Sequence, residues 1–234
     1  KYALSLSRST YHLAPIQHHH AHIASCMLEN GLENQEVIGV AFDGTGLGTK
    51  NKLWGAEFLV CDYKNFIRKA HLKEIPLVGG EKAILEPLRV TLIWLYLIYK
   101  DRFLNLGIDF TRDIDKKKWQ VFKKIYLAGF NAPLASSMGR LFDAVASLVL
   151  VRYRAGFEGE LAIELEKIAQ AAGAQTAYYN FGIIKDKEDY IIDPLSLFKE
   201  IIQDLKAGRP KPRIAYSFHL SVARMILKMS LILR

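Results

Sequence analysis

Apolar positions along this chain fall into short continuous runs and longer stretches with three- and four-residue spacing. Residues 37–42 form an unbroken apolar run apart from Gly39, as expected of a buried strand, and residues 53–61 predict a second one. Asp43-Gly44-Thr45-Gly46-Leu47-Gly48-Thr49 between them reads as a glycine-rich hairpin turn. Residues 13–17 read as a short strand, and 18–30 as a helix closed by Gly31 at its C′ position. From 66 to 130 the pattern is mostly helical after the Gly79-Gly80 loop. One helix is predicted over 81–104, with Ile84, Leu88, Leu92 and Leu95 spaced along it and Pro87 near its start, and another over 119–130. Ser136 or Ser137 is a natural N-cap for a helix whose buried stripe is Leu141, Phe142, Val145, Leu148 and Val149. A helix over 160–172 ends at Gly173, and short strands are expected at 176–184 and 190–192. Asp193-Pro194 opens a further helix to 207, and a Pro- and Arg-containing linker at 209–213 precedes a last helix from 214 to the end. Together these elements describe a mixed α/β chain.

Composition narrows the class. Half of the 234 residues are apolar and 24% are charged, the profile of a globular domain with a sizeable core. The longest apolar run, 90–99, is too short to span a bilayer, and no signal peptide opens the sequence. Two cysteines, Cys26 and Cys61, exclude a disulfide framework, are assigned structural roles, and point to a cytoplasmic setting. The net charge of +8 attracts anions, but the lysines are scattered in short clusters with no nucleic-acid-binding module, so neither a nucleic acid nor a membrane is expected as partner.

The candidate chemistry centres on Gln17-His18-His19-His20-Ala21-His22, which holds four of the seven histidines. On a helix starting near His18, positions 18 and 22 lie about 40° apart on one face, the spacing at which a helix offers two imidazoles to one metal ion. His19 lies about 60° from His22 and can share that face, while His20 points away. A solvated histidine run is the competing reading; the internal position and the apolar pattern that follows favour a metal or anion site. In the turn, Gly44, Gly46 and Gly48 allow close approach of backbone amides to a phosphate, Thr45 or Thr49 can donate a hydroxyl, and Asp43 can hold Mg²⁺ or a hydroxyl. A plain tight turn remains the alternative there. Gly139 and Asp143, at i and i+4 in the first turns of their helix, suit contact with a ligand, against an ordinary capped helix with Arg140 and Asp143 solvated.

In combination these motifs resemble one family. QHHHAHIAS (17–25), AFDGTGLGT (41–49), LWGAEFL (53–59), EPLR (86–89), SSMGRLFDAVASL (136–148) and FEGELAIELE (157–166) occur in the order found in the HypF carbamoyltransferases of nickel–iron hydrogenase maturation. The match is to their large catalytic domain, which is related to the tRNA threonylcarbamoyl-transferases. The resemblance implies an actin- and Hsp70-like (ASKHA) fold of two lobes, here 1–130 and 131–234. It implies carbamoyl transfer from a carbamoyl-adenylate, made from ATP and carbamoyl phosphate, to the C-terminal cysteine of the partner HypE. It also implies that His18 and His22 bind a divalent metal, zinc or iron, with Mg²⁺ a further candidate cofactor. Gly44, Thr45 and Gly46 then form the phosphate turn with Asp43 adjoining, and Gly139, Asp143, Gly159 and Glu164 hold AMP.

Departures from the family pattern are Lys50 and Asn51, where relatives carry an acidic residue and a glycine, and Glu160, where the tRNA-modifying relatives carry a second glycine. Relatives have acylphosphatase-like, zinc-finger and YrdC-like parts before this domain. After the last helix they have a strand, a Gly-Gly turn and an aspartate completing the metal site. The chain is therefore expected to be a fragment, with the fold incomplete at both ends. Two rival functions are an O-carbamoyltransferase acting on a small hydroxylated molecule and a non-catalytic nucleotide- or partner-binding relative.

Overall fold

A computed structural model of the chain describes residues 15–49, 52–173 and 176–234. The elements run α1 (His18–Glu29), β1 (Val37–Leu47), β2 (Leu53–Cys61), β3 (Phe66–Leu72), β4 (Ile75–Pro76), α2 (Lys82–Leu85) and α3 (Leu88–Tyr99). A 3₁₀ segment, Lys100–Asn105, leads to α4 (Asp109–Arg112), α5 (Lys116–Leu127), β5 (Leu134–Ser137), α6 (Met138–Leu150) and α7 (Glu160–Gln170). The chain closes with β6 (Gly182–Asp186), β7 (Asp189–Asp193), α8 (Leu195–Lys206) and α9 (Lys211–Leu233). The expected α/β class is what forms, built on one mixed sheet.

β2 is the centre of that sheet. Along one edge it pairs antiparallel with β1; along the other, its start pairs parallel with β5 and its end antiparallel with β3. β3 continues the sheet to β7 and β6, and β4 flanks β5. Successive side chains of a strand alternate between faces. Ala41 and Leu59 therefore meet Ile23 and Met27 of α1 on one face, while Ala56 and Phe58 join the main core on the other. Burial on both faces is why 53–61 reads as continuous apolar sequence. The main core is packed by α6, which lies against α3, α7 and β1, and by the Trp94–Phe198 stack between α3 and α8, with ring centroids 5.6 Å apart.

At the fork of β2 the chain buries a carboxylate. Glu57 is 0% exposed, and accepts hydrogen bonds from the Gly55 amide (3.1 Å), Ser136 Oγ (2.6 Å) and Arg68 Nε (2.5 Å). A buried charge is tolerable when paired and hydrogen-bonded in this way, and this one clamps β2, β3 and β5 at the point where they diverge. Arg68 also lies over the Trp54 ring at 4.2 Å.

Several local expectations are corrected. Residues 66–72 are strand β3, paired antiparallel with the neighbouring β2 across a short turn and parallel with the distant β7. Residues 134–137 are strand β5 before the helix, recruited by parallel pairing with β2. The helix expected over 81–104 is broken: α2 stops at Leu85, Pro87 caps α3, and Lys100 at φ 52° ends it. A proline ring clashes with the preceding turn, so the break falls where Pro87 dictates. The linker over 209–213 is shorter than its composition suggests, because α9 begins at Lys211 with a proline in its first turn. The expected strand over 13–17 falls partly outside the described residues, as do Lys50 and Asn51. No helix among the described residues is long and apolar enough to cross a membrane.

Candidate functional site

α1 begins where its cap dictates. Gln17 Oε1 accepts from the His20 amide at 2.9 Å, and Gln17 Nε2 donates to the Leu47 carbonyl at 3.2 Å, which ties the start of the helix to the end of β1. The four histidines then separate. His20 Nε2 donates to the Asp62 carbonyl at 2.7 Å, facing away as expected. His19 does not share the face of His18 and His22. It turns inward, fully buried, with Nδ1 accepting from Gln17 Nε2 at 3.1 Å and its Nε2 without a partner among the described residues. Burial lowers its pKa, so it packs as a neutral ring.

His18 and His22 remain outside, with their Nε2 atoms 3.1 Å apart. The third member comes from β1: His18 Nε2 lies 2.9 Å from Asp43 Oδ2. One donor atom from each of the three lies within 4.8 Å of the others, so the residues fit a single cation. Two imidazoles and a carboxylate on one side, with the opposite side open, is the donor set of a catalytic Zn²⁺ or Fe²⁺ site. Beside it a groove of about 500 Å³ runs between α1 and β1, lined by His22, Cys26, Met27, Val40 and Asp43 among others.

The glycine-rich stretch is not the hairpin turn itself. β1 continues through it to Leu47, and past its end the Gly48 amide donates to the Lys52 carbonyl at 2.9 Å. Between the pairs Phe42–Ala56 and Gly46–Trp54, Asp43, Gly44 and Thr45 stand opposite Gly55 alone, so the motif is a bulge. A bulge re-aims side chains, and here it turns Asp43 toward α1. The Asp43 carboxylate accepts from the Gly44 amide at 2.6 Å and from the Thr45 amide; with His18 these hold its pKa below the usual carboxylate value despite burial. None of the three turn glycines has a positive φ among the described residues; they are required by close approach. A Cβ on Gly46 would sit 2.5 Å from His19 Cε1 and 2.8 Å from His18 Cδ2. A Cβ on Gly139 would sit 2.7 Å from Gly44 Cα.

That second contact places the start of α6 against the bulge. Ser137 caps α6 by accepting from the Arg140 amide at 3.0 Å and donates its own hydroxyl to the Gly44 carbonyl at 2.5 Å. The adjoining cleft, about 340 Å³, is lined by Asp43, Gly44, Thr45, Gly139, Arg140, Asp143, Glu158, Gly159 and Ala162. Six of the ten residues singled out from the sequence thus line the cleft, with Gly46 packed under the histidines beside it. Glu164 stands apart, ion-paired to Arg152. Arg140 and Asp143 are buried rather than solvated, and Arg140 Nη2 lies 3.0 Å from both Asp143 Oδ2 and Glu158 Oε1. Arg140 and Glu158 were not legible as site residues. Their only sequence signal is a charge inside each of two glycine-bearing motifs, SSMGR and FEG.

Burial, reinforced by Glu158 and opposed by Arg140, pushes the Asp143 carboxyl up to about 6. Between about pH 4 and pH 6 the folded chain keeps this proton and the unfolded chain releases it, so the stability it contributes is present below that window and lost as pH rises through it. Unfolding free energies of the wild type and Asp143→Asn, measured at the two ends of the window, are expected to diverge. The wild type loses ground as pH rises, by at most on the order of 3 kcal/mol. A difference independent of pH contradicts the assignment.

Known proteins resemble this chain over most of its length. Residues 39–234 match the family described as carbamoyltransferase, Kae1-like domain, second subdomain. The carbamoyltransferase HypF of Rhodobacter capsulatus is 38% identical over 217 residues, covering 91% of this chain and 27% of that protein. A carbamoyltransferase HypF homolog of Cupriavidus necator is 32% identical over 214 residues, covering 90% of this chain and 54% of that one. The crystal structure of full-length HypF in the phosphate- and nucleotide-bound form matches with a TM-score of 0.87 and 38% identity, over 99% of this chain and 35% of that chain. That of T. kodakarensis HypF matches with a TM-score of 0.80 and 32% identity, over 97% and 30%. The chain spans 27% of the length of the R. capsulatus relative.

Proposed function

The chain belongs to the HypF carbamoyltransferase family, and on that premise we propose that it carries the transfer site of such an enzyme. The reaction is delivery of a carbamoyl group from a carbamoyl-adenylate, formed from ATP and carbamoyl phosphate, to the C-terminal cysteine thiolate of a HypE partner. The observation that carries this reading is the convergence of His18, His22 and Asp43 at the edge of a cleft floored by the Gly44 bulge.

His18, His22 and Asp43 would hold the divalent metal, which supplies a Lewis acid for oxygens that gain negative charge during acyl transfer. The chain's own groups do the positioning. Asp43 is oriented by the Gly44 and Thr45 amides, and the bulge is held to α6 by Ser137. Asp143, buried in the cleft, would accept hydroxyl hydrogen bonds from a ribose once ionised. Neither cysteine of this chain is needed as nucleophile. Cys61 is buried, with its thiol pKa raised by that burial, the opposite of what activates a thiolate.

The test is acceptor choice in the complete protein of which these residues form at least a part. With ATP and carbamoyl phosphate present, a peptide ending in cysteine and a small polyhydroxylated acceptor are offered together, and mass spectrometry reports which gains a carbamoyl group. Carbamoylation of the thiol, absent from the same peptide ending in serine, is expected. Carbamoylation of the hydroxylated acceptor alone contradicts the reading.

A further inference from the structure

Arg140 is an unusual residue for the position it holds. Its side chain is 3% exposed, and among the described residues only Nη2 of its three nitrogens has a hydrogen-bond partner, Glu158 Oε1 at 3.0 Å, while Nε and Nη1 are buried without one. Asp143 Oδ2 lies 3.0 Å from the same Nη2 yet makes no hydrogen bond. A buried guanidinium left with two idle donors is costly, and its fork matches carboxylate or phosphate oxygens. The group covering it is itself an anion. Glu158 is half exposed, stands on the turn between Gly156 and Gly159, and brings Oε1 to within 2.8 Å of where a Cβ on Gly44 would lie, a close approach that glycine permits.

We infer that Arg140 is an anion-binding residue of the cleft, and that the Glu158 carboxylate holds the place a ligand phosphate takes. Glu158 then acts as a latch. A phosphate entering between Gly44 and Arg140 displaces the carboxylate into solvent, where half of that side chain already is, and engages the idle nitrogens. The exchange is of one anion for another on a fixed cation, so no bond is made or broken and the cleft never holds an unpaired buried charge. The phosphate belongs either to a nucleotide or to a small phosphate compound, and the chemistry on Arg140 is the same for both. The nucleotide case rests on the transferase reading; the small-phosphate case does not.

Calorimetric titration of AMP, adenosine and inorganic phosphate into the chain, its Glu158→Gln variant and its Arg140→Lys variant tests this. Glu158→Gln removes the competing charge from a half-exposed position and is expected to tighten AMP by about tenfold while leaving adenosine unchanged. Arg140→Lys keeps the charge but loses the fork, and is expected to bring AMP affinity toward that of adenosine. Tightening of inorganic phosphate without AMP also supports the latch and assigns the subsite to a small phosphate compound. Unchanged or weaker AMP and phosphate binding in Glu158→Gln, with adenosine still bound, overturns the latch and leaves the transferase reading standing. No binding of any of the three by any form overturns both.

Discussion

Replacing His18 and His22 together by alanine is expected to lower the rate of carbamoyl transfer by at least about a thousandfold without unfolding the protein. The loss follows from removing both imidazoles of a three-residue donor set, since electrostatic stabilisation of the transition state is the largest contribution such a site makes. Folding survives because both rings are exposed, and alanine is the residue best suited to a helix interior. The capping by Gln17 and the inward packing of His19 and His20 are untouched. Steady-state kinetics together with a thermal melt separate the two effects. Retention of more than about a tenth of the rate contradicts a central role for the pair.

The second large effect is expected at Gly139. An alanine there would bring its Cβ to 2.7 Å from Gly44 Cα, and neither partner is a movable side-chain end: one is the first turn of α6 and the other the backbone of the bulge. Overpacking of this kind costs about 1–3 kcal/mol, and the relief available is to push the bulge away from the helix. That displacement carries Asp43 away from His18, and misplacement by about 1 Å is enough to cost on the order of a hundredfold in rate. Gly139→Ala is therefore expected to melt earlier and to lose activity beyond what its stability explains. Gly182→Ala, whose Cβ would meet Asp193 only at an ordinary 3.5 Å, serves as the control. Equal and small effects at the two positions contradict the role assigned to the close approach.

What was legible in the sequence is what is decided locally. The histidine helix was read correctly because its end at Gly31 and its apolar side are local signals, and β2 because burial on both faces leaves an unbroken apolar run. Strand β5 is not legible because its partner β2 lies far off in sequence; β3 follows its partner β2 directly, but Arg68, Lys69 and His71 break its apolar pattern, and its other partner, β7, is distant. The glycines between 44 and 48 pointed to the right place for a different reason. They read as a tight hairpin turn, whereas Gly44 stands in a bulge against the start of α6 and Gly46 lies beneath the histidines of α1. Arg140 and Asp143 show the limit most clearly. Asp143 is legible as a ligand contact but not as buried, and Arg140 reads as a solvated charge, whereas both are buried here, Arg140 against Glu158 of the Gly156–Gly159 turn. His19 is the converse, a polar residue that helical spacing leaves beside the face of His18 and His22 and that packing draws beneath Gly46.

The measurement that tests the account most directly is metal content by elemental analysis, made on the chain as purified and after dialysis against a chelator, beside His18→Ala/His22→Ala. Stoichiometric zinc or iron in the wild type that is absent from the double variant is the predicted result, with Asp43→Asn binding more weakly than the wild type. Wild-type protein that takes up neither metal, even when each is supplied in excess, contradicts the metal centre and leaves His18, His22 and Asp43 as a hydrogen-bonding cluster only.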